Sequence, residues 1–262
     1  KQQKYDKALP ALQRLENNEE YQKTIPYYLV QIYYAQGNYE EVETRAQKLL
    51  REQPESLNNC ELNRLLGEIY FHKGDYQQAI TYLKQYQSDT QKQGLELLRN
   101  DMYMLGTAAY KIGEYEQAVQ SLKQMKQQAD TLSEAACLTM GNAYVQLKQY
   151  EQAKLSYQAA VNYALTPAVT EEAAYNYTLC TYQSSSALGE SVHAFNDFLH
   201  QFPNSKYENN IYRLLTDALL HSKNYSAAIA VLDSIDNPTQ KMIETKQYLR
   251  YQLGADCFLQ GK

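Results

Sequence analysis

The chain has 262 residues, 44% of them hydrophobic, and its 30 acidic and 25 basic side chains leave a net charge of −5. That balance argues against a nucleic-acid partner, which needs a basic stripe, and no apolar run reaches the eighteen or so residues of a membrane-spanning helix. Glycine and proline are sparse, at 10 and 6, so no long linker is expected and the chain should form one continuous body. Apolar residues at three- and four-residue steps predict a succession of helices. A first helix spans about Gln3 to Asn17. Pairs follow: Ile25–Gln36 with Tyr39–Gln53, then Leu57–Lys73 with Tyr76–Thr90, then Leu95–Lys111 with a helix starting near Tyr115. Next come Leu132–Leu147 with Tyr150–Ala164, Ala168–Gln183 with Leu188–Gln201, and Tyr207–Ser222 with Tyr225–Ile235. A last helix runs from about Gln240 to Gln260, and the following turn begins at Gly261-Lys262. Nowhere do β-branched and polar residues alternate over a strand length.

The pairs are copies of one unit. Gly113-Glu114-Tyr115-Glu116-Gln117-Ala118 recurs as Gly37-Asn38-Tyr39-Glu40-Glu41-Val42 and as Gly74-Asp75-Tyr76-Gln77-Gln78-Ala79. Weaker copies stand at Lys148-Gln149-Tyr150-Glu151-Gln152-Ala153 and Lys223-Asn224-Tyr225-Ser226-Ala227-Ala228. Tyr5 and Ala8 open the series, and Leu188 and Ser191 are its most degenerate member. The tyrosine places lie 34, 37, 39, 35, 38 and 37 residues apart, a period that marks a solenoid of helix pairs. In the third pair Leu98, Met102, Leu105, Ala109 and Ile112 form one face of the first helix, Gly113 breaks it, and Ala118, Leu122 and Met125 continue on the second. Gly106 sits inside a helix, at a cost of about 1 kcal/mol relative to alanine. Gly67 and Gly141 repeat that cost in their own pairs. Close approach of a neighbouring helix explains all three, with Ala118 serving the same contact.

These residues resemble the tetratricopeptide repeat: a glycine in the first helix (A), an aromatic three residues on, a turn glycine, a tyrosine opening the second helix (B), a small alanine, and a closing proline. The second pair has Gly67, Tyr70, Gly74, Tyr76 and Ala79. The first has Tyr33, Gly37, Tyr39 and Pro54, with Val42 replacing the alanine. The fourth has Gly141, Tyr144, Tyr150, Ala153 and Pro167, with Lys148 replacing the turn glycine; the fifth keeps Tyr182 and Pro203. The resemblance implies an all-α superhelix, a right-handed solenoid of antiparallel helix pairs. Its repeats fall at about 1–20 (helix B only), 23–56, 57–94, 95–131, 132–167, 168–205, 206–239 and 240–262 (helix A only), which reads as a piece of a larger protein. Phe195-Asn196-Asp197-Phe198-Leu199-His200-Gln201-Phe202-Pro203-Asn204-Ser205-Lys206-Tyr207 is similar to repeat endings in Gram-negative cell-envelope proteins. A periplasmic or outer-membrane-associated location follows from that likeness, beside a cytoplasmic one.

No catalytic constellation stands out: there is no glycine-rich phosphate loop, no His-Glu-x-x-His and no nucleophile elbow, and no cofactor is implied. Cys60, Cys137, Cys180 and Cys257 lack metal or redox spacing and are expected as buried free thiols. His193 and His200 share a helix face without the ligand set that a metal needs. Glu40-Glu41 and Glu171-Glu172 are expected in first turns, where they favour the helix dipole. The resemblance places a binding groove on A-helix residues that face neither neighbour: Tyr27, Tyr28, Gln31, Tyr34, Arg64, Glu68, His72, Tyr103, Thr107, Lys111, Asn142, Gln146, Asn176, Tyr177, Gln183, Arg213 and Asp217. Tyrosine and asparagine suit a protein or peptide partner. The family's carboxylate clamp for chaperone tails fails, because Leu138 stands where a lysine should and Tyr177 where an asparagine should. The expected function is therefore a non-catalytic interaction scaffold, or alternatively a spacer or sensor arm for an active domain outside this chain. Leu249, Leu253, Cys257, Phe258 and Leu259, rimmed by Tyr248 and Tyr251, give the last helix an apolar surface wide enough to predict self-association.

Overall fold

A computed structural model of the chain describes residues 5–184, 188–221, 224–235 and 238–259. Among these residues the protein is all-α, with fourteen helices: α1 Tyr5–Leu15, α2 Ile25–Ala35, α3 Tyr39–Glu52, α4 Asn59–Lys73, α5 Tyr76–Lys92, α6 Arg99–Lys111, α7 Tyr115–Gln124, α8 Thr131–Gln146, α9 Tyr150–Tyr163, α10 Pro167–Ser184, α11 Leu188–Gln201, α12 Glu208–His221, α13 Tyr225–Asp233 and α14 Gln240–Leu259. The expected Gln3, Ser222, Lys223, Gln260, Gly261 and Lys262 lie outside the described residues. The helices form two compact units, residues 1–126 and 127–262. In the first, α2 packs on α3, α4 on α5 and α6 on α7, and α3–α4 and α5–α6 contacts join these hairpins. In the second, α8 packs on α9, α10 lies between α9 and α11, and α11 to α14 close around Val192, Phe195, Ile211, Leu215 and Leu219.

The turns explain why each hairpin forms. Gly37, Gly74 and Gly113 take left-handed backbone angles, with φ of +75°, +79° and +87°. The next residue's N–H then reaches back over the helix end: Asn38 to Tyr33 O (2.9 Å), Asp75 to Tyr70 O (3.0 Å) and Glu114 to Ala109 O (2.9 Å). That bond closes a Schellman turn. Lys148 has φ +57° and the same bond follows it, from Gln149 N to Tyr144 O at 2.9 Å. The lysine thus adopts the glycine geometry without being glycine. Asn38, Asp75 and Asn224 then cap the helices that follow, their side chains accepting from Glu41, Gln78 and Ala227 N–H.

The three helical glycines do sit at close approaches. A Cβ at Gly67 would lie 2.6 Å from Leu83 Cγ, one at Gly106 2.6 Å from Leu122 Cγ, and one at Gly141 2.5 Å from a Tyr157 ring carbon. Each large partner comes sixteen residues after its glycine. Ala118 contributes through its carbonyl oxygen, 3.2 Å away, while Leu122 makes the nearer contact. In the first pair the same two register positions hold Val30 and Ala46, both fully buried.

Three expectations need correction. The third A helix starts at Arg99 rather than Leu95, because α5 runs on to Lys92 and Gly94, at φ +66°, reverses the chain. Leu95 and Leu98 belong to that connection and are 60% and 61% exposed, so Leu98 is not part of the buried face. Glu171-Glu172 lie beyond the first turn of α10, which begins at Pro167, and Glu171 instead accepts from Ser205 Oγ at 2.5 Å. Of the free cysteines only Cys137 and Cys180 are buried, and burial pushes both thiols up to about 11; Cys60 and Cys257 are half-buried.

Candidate protein-binding surface

Unit 1 gathers groove residues from α2 and α4 around Arg64. Its Nε and Nη2 donate to Glu61 Oε2 and Oε1, each at 2.8 Å, and its Nη1 to Glu68 Oε2 at 3.1 Å. The bonds to Glu61, set against partial burial, hold the guanidinium even more firmly charged than usual. This fork-to-fork geometry orients the group as well as neutralising it. Tyr34 faces Glu68 from α2; burial, then that carboxylate, drives its phenol above the ordinary range. Tyr27 is raised by burial and by Glu61.

At the start of α6, Asp101 is 2% exposed and accepts from Tyr86 Oη at 2.9 Å. Burial raises its carboxyl pKa, although Tyr86 and the nearby Arg64 pull it down. One guanidinium therefore stands among three carboxyl groups. Glu61 and Asp101 escaped the sequence reading, although Glu61, Arg64 and Glu68 at steps of three and four were a visible sign of one acidic face around a cation.

The other groove residues of this unit are more scattered. Tyr28 is 50% exposed and meets Tyr27 at 5.8 Å between ring centroids. His72 is exposed, and both it and Tyr103 stand edge-on to Phe71. Lys111 is exposed, with its ammonium over the Tyr110 ring. Thr107 is buried rather than open, and its hydroxyl, like the buried Nε2 of Gln31, has no partner among the described residues.

In unit 2, Asn142 is already occupied: its Oδ1 accepts from Tyr157 Oη at 2.7 Å and from Asn176 Nδ2 at 3.4 Å. Gln146 and Gln183 are exposed, Asp217 is half-buried, and exposed Arg213 is held by Asn210 Oδ1 at 2.8 Å. Tyr177 points elsewhere, into a cleft of about 520 Å³ walled by α9 and α11 and floored by α10. Two further clefts share that plan. One of about 550 Å³ lies over α4 between α3 and α5, and one of about 430 Å³ over α6 between α5 and α7. Helical periodicity could not show these clefts, since it does not say how far apart successive B helices stand. Among the described residues no three His, Cys, Asp or Glu side chains gather as a metal would require. No described helix is long and apolar enough to cross a membrane.

Models of the tetratricopeptide repeat match residues 27–93, 102–130 and 134–166. No curated protein gives a significant match. Among solved structures, a tetratricopeptide repeat protein from Parabacteroides merdae is 16% identical over 87% of each chain, with a TM-score of 0.50. The C-terminal part of a TPR repeat-containing protein from Cytophaga hutchinsonii is 14% identical over 93% of this chain and 95% of its own, with a TM-score of 0.54. A chain from the structure of Naa15/Naa10 bound to HypK-THB is 17% identical over 88% of this chain but 34% of its own, with a TM-score of 0.53. With the left-handed turns, the glycine-to-bulky register and the repeat models in agreement, the chain belongs to the tetratricopeptide-repeat proteins.

Proposed function

We propose that this chain is a non-catalytic scaffold that holds a protein segment against the A-helix face of unit 1. The observation that carries the reading is Arg64, fixed by Glu61 and Glu68 beside Tyr27 and Tyr34. A preorganised charge beside amphipathic aromatics supplies orientation and contact area at low entropic cost. The Naa15/Naa10 chain, similar in fold, is one that assembles with other proteins. A photo-reactive residue at Tyr28 or Lys111 should crosslink a partner segment, and Arg64→Glu should abolish that crosslink while leaving the helical spectrum unchanged. Equal crosslinking from Lys48, on α3 and away from this face, would defeat the reading.

The last helix supports self-association as well. Tyr248, Tyr251, Phe258 and Leu259 are 49%, 71%, 83% and 82% exposed and recur at helical steps, while Met242 and Leu249 fill the unit's core. Sedimentation should show a dimer that Phe258→Glu dissociates. A wild-type chain that stays monomeric at high concentration contradicts it.

A further inference from the structure

The cleft over α4 carries chemistry that the A-helix face does not use. Asn59 is 8% exposed, and its Nδ2 donates to Gln53 O at 2.8 Å and to Pro54 O at 2.9 Å. Both amide hydrogens are thereby committed, which fixes the orientation of the amide. Its Oδ1 is turned away from them, buried and without a partner among the described residues. One helical turn on, Asn63 is 4% exposed and spends its Nδ2 on Asp89 Oδ2 at 3.4 Å. Asp89 projects from α5; its side chain is 18% exposed and also accepts from Gln85 Nε2 at 2.9 Å. The cleft therefore offers Asn59 Oδ1 and the Asp89 carboxylate as acceptors, while the amide hydrogens of Asn59 are occupied. Glu55 adds a second carboxylate at the mouth. Lys92, 71% exposed and 3.6 Å from Asp89, is the opposing charge, and with its long side chain in solvent it holds Asp89 weakly.

We infer that this cleft receives an arginine side chain from a partner protein. The occupant must donate hydrogen bonds in at least two directions, to Asn59 Oδ1 and to the Asp89 carboxylate, which belong to neighbouring helices. It must also carry positive charge to complement Asp89 and Glu55. A guanidinium presents five donors in a rigid fork, whereas lysine brings a single compact charge. Pro54 and Leu57 line the same opening and give the arginine stem apolar surface. This inference is independent of the A-helix reading, since none of its residues belongs to the Arg64 cluster.

The test is a titration of the isotope-labelled whole chain with the tripeptide acetyl-Gly-Arg-Gly-amide, followed by nuclear magnetic resonance at the side-chain amides of Asn59 and Asn63. Both should shift and saturate. The citrulline tripeptide, equal in shape but neutral, should bind at least about tenfold more weakly, as should the lysine tripeptide, because charge-assisted forked bonds are the strong ones. Asp89→Asn should weaken arginine binding about tenfold with an unchanged melting curve. Asn59 variants are avoided because that side chain also ties down the 53–54 backbone. Unmoved amides would mean that water alone serves the orphaned oxygen, and the inference would fail. Equal response to citrulline or lysine, or indifference to Asp89→Asn, would overturn it equally.

Discussion

Gly67, Gly106 and Gly141 have the same reason to be glycine but different neighbours. Leucine faces the first two and can shift within its pocket, whereas the Tyr157 ring facing Gly141 is pinned by its hydrogen bond to Asn142. Gly106→Ala should cost about 1–3 kcal/mol, the usual range for overpacking, and Gly141→Ala should fall at or above the top of that range. Thermal melts of the two variants check the order, and Leu122→Val should recover part of the Gly106→Ala loss if the clash is its cause. Glu134 makes a second residue-scale case. It is fully buried on α8, yet accepts from Leu165 N–H (3.1 Å), Thr166 N–H (3.2 Å) and Thr170 Oγ1 (3.0 Å), at the start of α10. Burial pushes its pKa up, but these donors outweigh burial and hold it below the ordinary value. A carboxylate depressed in this way stabilises the fold above the unfolded pKa, near 4, and loses that contribution as pH falls through the folded value. The stability difference between wild type and Glu134→Gln should therefore be largest at neutral pH and shrink in acid. A constant difference from pH 7 to pH 3 would contradict it.

At the scale of the element, the turns obey one backbone rule that the sequence follows in three cases and breaks in a fourth. Lys148 holds φ +57° where its counterparts are glycines, a region that costs a side-chain-bearing residue about 1–2 kcal/mol. Lys148→Gly should raise the melting temperature of unit 2 despite the extra freedom that glycine gives the unfolded chain; a fall would show that the lysine side chain earns its place. The helices themselves were legible because their apolar periodicity and turn residues coincide, so most boundaries stand within a residue or two of expectation. Residues 95–98 were misread for a physical reason: three leucines among four residues mimic a helix face, and only the overrun of α5 to Lys92 shows them to be a connection. The binding face was legible as a set of positions and not as an arrangement. Arg64 and Tyr34 could be named from the repeat, but the approach of Tyr34 to Glu68 depends on how α2 and α4 pack. Likewise, the orphaned Asn59 Oδ1 depends on where the 53–54 backbone runs.

At the scale of the whole molecule, contacts within each unit fall mainly between helices adjacent in the chain, so stability is a sum of local terms and damage should stay local. Gly141→Ala should speed amide hydrogen exchange in α8, α9 and α10 and leave α2 to α5 close to their wild-type rates. Uniform acceleration across all helices would mean a single cooperative fold instead. Because the four cysteines are free and no metal-ligand cluster stands among the described residues, neither reductant nor chelator should move the melting curve. The sixteen-residue register also limits how such a chain can diversify. Joining α2 to α5 would set Val30 against Leu83, and joining α4 to α3 would set Gly67 against Ala46 and leave a void. An A helix is thus wedded to its own B helix, whereas the connections at 53–58 and 93–98 carry no such matched volumes. Recombination that cuts at those connections moves an intact hairpin, while a crossover at Gly74 or Gly113 yields a mismatched one. The heritable module is the hairpin, and shuffling libraries cut at the hairpin turns should be depleted of folded members relative to those cut between hairpins.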